Sequence, residues 1–188
     1  MQDANGNLWK GAVAGLAAGL AATYVMTQFQ NLSGKLAKAL ESDDPQHPQH
    51  AADRGKPESG QRQQGNGKEQ EEDATVKTAE AISEGLFHHE LTRDEKKVAG
   101  PAVHYGFGIL TGAIYGALAE LNPAVTRGAG LPFGTAVWLG ADEVAVPAFR
   151  LSGPPLSTPP SVHARALAAH LVYGLATETA RRLVRRAL

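Results

Sequence analysis

Asp142 and Glu143 stand side by side in "WLGADEVAVPAF", residues 138 to 149, inside an otherwise apolar, helix-like run. Two carboxylates in such a setting can hold a proton, answer a cation or fasten a neighbouring helix, and each role needs a partner. The partners on offer are histidines and a tyrosine. With a step of about 100° per helical residue, His163, His170, Gly174, Thr177 and Arg181 fall within about 40° of one direction. His104, Thr111 and Tyr115 share the face of another segment. An interior cluster of Asp142, Glu143, His104 and His170, extended to Tyr115 and His163, is therefore available by geometry. Histidine suits this role because small environmental changes carry it across physiological pH.

Other chemistry is poorly served. His163 and His170 would lie about 10.5 Å apart along a helix axis, too far for both to bind one ion at about 2 Å, so no metal site is expected. There is no Walker pattern, no G-x-S-x-G elbow and no H-E-x-x-H, and the glycines between 106 and 116 follow no strand. The expectation is a protein that is not an enzyme and takes no cofactor. Cysteine is absent, which removes thiolate chemistry and disulfides. A net charge of −1 gives no field toward nucleic acid. The closing "RRLVRR" reads as a juxtamembrane anchor near anionic lipid.

The elements that must position these residues are four apolar segments and one polar stretch. The first runs from about Leu8 to Phe29 and is long enough to span hydrocarbon. Gly11, Gly15 and Gly19 recur along one of its ridges. The second, after Pro101 and up to about Leu121, repeats that ridge with Gly108, Gly112 and Gly116. Small residues at this spacing let two helices approach closely in lipid. The third runs from about Leu131 to Leu151. The fourth, Ser161 to Leu183, is the most polar. Between the first two lies a stretch rich in Pro, Gln, Gly and charge, expected to be a disordered loop over 41–72. From Ala74 to Leu91, apolar residues at helical spacing predict a short amphipathic helix. Thr92 with Glu95 predicts a capped helix start, with Pro101 interrupting or kinking that helix.

The expected fold class is thus all-α, a small polytopic membrane bundle of about four spans. Its divisions are 1–40 for the first membrane helix and its flank, 41–72 for the polar loop, 73–100 for amphipathic and juxtamembrane helices, and 101–188 for three further membrane helices. The motifs "VHYGFGILTGAIYG", "WLGADEVAVPAF" and "HLVYGLATETARR" together resemble the YagU-like family of bacterial inner-membrane proteins. The resemblance covers both ends of the chain well and the polar stretch poorly. It implies a small multi-pass protein of the bacterial inner membrane and supplies no catalytic residues.

Two functions remain open at this point. In one, the His/carboxylate interior responds to protons and serves envelope or acid-stress homeostasis. In the other, the protein is structural, and its glycine ridges assemble it with another copy or another membrane protein. In both the lipid bilayer is the partner and nucleic acid is not. Dry, saturated pairing around Asp142 and Glu143 favours the second reading, and a wet cavity favours the first.

Overall fold

The computed structural model describes residues 2–42 and 67–188. Among them every regular element is helical: α1 (Gln2–Ser42), α2 (Gly67–Ile82), α3 (Arg93–Leu121), α4 (Leu131–Trp138), α5 (Val146–Ala148) and α6 (Pro160–Ala187). A π-helical stretch, Leu139–Ala145, joins α4 to α5. The expected disordered loop falls mostly on residues 43–66, outside the described residues, while helix begins already at Gly67. Two helices, Asn7–Ala37 and Arg93–Leu121, are long and apolar enough to cross a membrane.

The third and fourth expected spans do not meet that standard, and the reasons are local. The third is divided by the π-helical stretch and holds Asp142 and Glu143. The fourth is a helix of 28 residues carrying histidine, glutamate and arginine along its length. A correction also applies to Pro101, which does not interrupt α3. One proline removes a single backbone bond, to the carbonyl four residues back. The helix start ahead of it is fixed by the Thr92–Glu95 capping box, in which each side chain accepts from the other residue's backbone N–H.

Helices α1 and α3 run antiparallel and meet through glycine. A Cβ on Gly11 would lie 2.5 Å from the Gly116 carbonyl oxygen, and one on Gly19 would lie 2.4 Å from that of Gly108. Backbone therefore rests on backbone along the seam, with Ala14, Ala18 and Ala22 wholly buried on α1. A second seam of the same kind joins α4 to α6. Cβ atoms on Gly134 and Gly174 would each stand 2.2 Å from a carbonyl oxygen, of His170 and Gly130 respectively. Gly130 has φ +85°, so it both turns the chain and allows this approach. Helix α2 lies against α3 where Gly100 leaves room for Val76.

Many large apolar side chains lie on the outside of the bundle. Among the described side chains no Leu, Ile, Phe or Trp is buried, although these types ordinarily fill a core. Leu16, Leu20, Leu110, Ile114 and Leu175 all face outward. The buried residues are alanines and glycines at the seams, the polar Thr23, His170, Thr177, Glu178 and Arg181, and the larger Met26, Tyr115, Val162 and Tyr173.

Candidate functional site

Two polar clusters occupy the interior, separated by an aromatic partition. Phe133 of α4 stacks on Tyr115 at 4.3 Å between ring centroids and tilts against Tyr173 at 5.8 Å. Tyr173 belongs to the first cluster and Tyr115 to the second.

The first cluster surrounds a cavity of about 390 Å³. Its walls come from α1 (Thr23, Met26), α2 (Thr75, Thr78), α3 (His104, Thr111), the π-helical stretch with its following turn, and α6 (His163, His170, Tyr173). Asp142 and Glu143 both face it. In a regular α-helix adjacent side chains diverge by about 100°, too much for both to reach one neighbour. The two carboxylates sit here on a wider π turn. Val146 N–H bonds to the Ala141 carbonyl, five residues back, and π-bulges of this kind recur at functional sites. Pro147 contributes as well, because it lacks the N–H that would bond the Glu143 carbonyl in an α-helix.

Each carboxylate then meets its own histidine. His163 Nδ1 donates to Glu143 Oε1 at 2.5 Å. His170 Nδ1 lies 3.6 Å from Asp142 Oδ2, beyond hydrogen-bond length. That nitrogen is 2.9 Å from the Ala166 carbonyl oxygen, which can only accept, so Nδ1 carries a proton and gives it to the backbone. His104 stands across the cavity, its Nε2 3.5 Å from Thr27 Oγ1. The Thr27 proton is committed to the Thr23 carbonyl at 2.9 Å, so the histidine is the donor in this contact. Tyr173 donates to the Gly108 carbonyl at 2.6 Å and lies 2.9 Å from Thr111 Oγ1. The cavity is thus ringed by two carboxylates, three imidazoles and a phenol, groups that exchange protons without metal.

The second cluster is built differently. Glu178, 1% exposed, accepts from Tyr115 Oη at 3.0 Å, from Arg181 Nε at 2.7 Å and Nη2 at 3.0 Å, and from Arg182 Nε at 2.5 Å. Nearby, Arg185 bonds Glu120 at 2.7 Å and Asn7 at 3.3 Å. Both carboxylate oxygens of Glu178 are fully used. This network ties α3 to α6.

Tyr115 therefore leaves the expected cluster. It shares a helix face with His104 but lies eleven residues further along α3, about 16 Å along the axis. A shared face is not a shared depth. The remaining expected members, Asp142, Glu143, His104, His163 and His170, do converge. The six ridge glycines face one another across the α1–α3 seam, inside the chain. Sequence reasoning missed Tyr173, the Glu178 network and the α4–α6 glycine contact. The Glu178–Arg181–Arg182 spacing of three and four residues was the available signal for the network.

Residues 75–179 match a family described as a protein of unknown function, DUF1440. That is more than half of the chain. The protein is a member of DUF1440. The matched region runs from the α2 wall of the cavity to the residue after Glu178, and so takes in the polar members of both clusters other than the arginines beyond it and Asn7, Thr23 and Thr27 of α1. No curated protein and no solved structure matches the chain.

Proposed function

We propose that this DUF1440 protein is a multi-pass helix bundle of the bacterial inner membrane, YagU-like, whose cavity takes up and releases protons in envelope or acid-stress homeostasis. Under this reading α1, α3, the α4–α5 unit and α6 are all embedded, giving about four spans. The bilayer is the partner, nucleic acid is not, and the protein performs no covalent catalysis and needs no cofactor.

The observation that carries the reading is the arrangement of Asp142 and Glu143, each turned toward its own histidine around a cavity, within a bundle that shows its large apolar side chains outward. An outward shell of Leu, Ile and Phe is costly in water and favourable in lipid. Facing lipid instead, each carboxylate would cost roughly 2.5–3.5 kcal/mol on an insertion scale, so an inward orientation is required. Glue alone would resemble Glu178, whose acceptors are saturated. Asp142, by contrast, faces an open cavity, which suits a site whose occupancy changes.

The structural reading keeps one supporting observation, the saturated Glu178 network. Its other support, assembly through the glycine ridges, is weakened because those ridges are spent on each other within one chain.

The test has two stages. The protein should remain with the membrane through a carbonate wash; recovery as a folded monomer without detergent would refute the membrane reading. Reconstituted in liposomes holding a pH dye, the wild type should take up protons after an acid jump, and an Asp142→Asn, Glu143→Gln double variant should not. A folded double variant with wild-type uptake would leave only the structural reading.

A further inference from the structure

Proton exchange does not need room, and the cavity has it. At about 390 Å³ it falls within the ~300–1,000 Å³ typical of small-molecule sites. Its lining is mainly apolar, with Met26, Phe107, Val137 and Phe149 among the contributors. Among the described lining residues there are two carboxylates and no lysine or arginine.

The two carboxylates are not equivalent. Glu143 has a close donor in His163. Among the described residues Asp142 has His170 Nδ1 at 3.6 Å, and that proton goes to the Ala166 carbonyl. Asp142 thus keeps its acceptor capacity and turns it to the cavity. An anion entering here would meet two negative groups and no fixed positive one. A neutral apolar molecule would bury Asp142 further without offering it a donor, which is unfavourable. A molecule with one cationic donor head and an apolar body satisfies both features.

We propose that the cavity binds a small organic monocation, a protonated amine with an apolar body, and that Asp142 is its counter-ion. The inference names a ligand for the site just read as proton-responsive, and it rests on that reading of the site. The titratable groups that face Asp142 are Glu143 from its own element, His163, His170 and Tyr173 from α6, and His104 from α3; α1 and α2 contribute threonines and Met26. Protonating the histidines places positive charge beside the counter-ion, so proton and amine compete. Binding therefore weakens as the pH falls.

The test uses the full chain in detergent and three compounds of one shape: phenethylammonium, phenethyl alcohol and phenylacetate. Calorimetric titration at mildly alkaline pH should show the ammonium binding about tenfold or more tightly than the alcohol, a ratio typical of one charge-assisted hydrogen bond, and the carboxylate not binding. Asp142→Asn should abolish the difference, and partition into micelles cancels between variant and wild type. Should the variant fail to fold, charge selectivity on the unaltered protein decides alone. Equal binding of ammonium and alcohol, binding of the carboxylate, or no binding of the ammonium overturns the proposal. Liposome proton uptake without amine reports separately on the proposed function. Uptake with no amine binding sinks the ligand and spares the proton reading, and amine binding with no uptake does the reverse.

Discussion

A methyl group added at Gly15 should unseat α1 from α3. Its Cβ would stand 2.1 Å from the Gly112 carbonyl oxygen and 2.9 Å from the Gly116 Cα, whereas ordinary contact begins at 3.4 Å. The obstructing atoms are backbone, so no rotamer change relieves the overlap. The helices must part locally by the difference, about 1.3 Å, and a close-packed seam transmits that shift to its neighbours. Overpacking of this kind costs roughly 1–3 kcal/mol. Replacing a helical glycine by alanine returns at most about 1 kcal/mol in propensity. Gly15→Ala is therefore expected to be net destabilising by about 1–2 kcal/mol, and Gly112→Ala, with contacts at 2.6 Å to the Gly15 carbonyl oxygen and the Gly19 Cα, by a little less. Gly106→Ala supplies the control. It lies in the same α3, and its added Cβ meets nothing within 4 Å, so stability should be unchanged or raised. Thermal unfolding of all three variants in one detergent is the assay. If Gly15→Ala and Gly112→Ala unfold at or above the temperature of Gly106→Ala, the seam does not exist as described.

Other perturbations separate the two clusters. Glu178→Gln leaves the nearly buried Arg181 guanidinium without its carboxylate and should cost roughly 3–5 kcal/mol in denaturant unfolding. Tyr115→Phe removes one hydrogen bond to a charged acceptor and should cost about 1.5–3 kcal/mol in the same measurement, without altering proton uptake. Thr92→Ala removes the cap of α3 and should lower stability by about 0.5–2 kcal/mol, read as fraying in amide exchange confined to the first turns of that helix.

Much of the architecture was legible because it rests on periodicity. Two ridges of glycine, each repeating every fourth residue, implied two helices in backbone contact, and α1 and α3 meet along them. The Thr92–Glu95 pattern marked the start of α3 near Arg93. The depth of a residue along its helix was not legible, because a helical wheel discards the axial coordinate. Tyr115 was drawn into the wrong cluster for that reason. The α4–α6 seam was hidden differently: Gly130 reads as a turn glycine, which it also is, and Gly174 stands alone on α6 with no ridge to announce it.

The pairing of two adjacent carboxylates with two histidines seven residues apart follows from the broken helix rather than from the sequence pattern of either partner. His163 and His170 are two turns apart, about 10.5 Å along α6. Neighbouring residues on a regular helix would rise by only about 1.5 Å and diverge by about 100°, so one of the two would turn away from α6. The π-helical stretch widens the turn that holds Asp142 and Glu143, and Pro147 keeps it from closing back to α geometry. Both side chains line the cavity against α6, Glu143 bonded to His163 and Asp142 3.6 Å from His170. The feature that disqualifies this segment as a simple membrane span is therefore the one that builds the site. A chain that only needed to span would gain nothing from two carboxylates and a proline in the middle of an apolar helix, and would bear the cost of each.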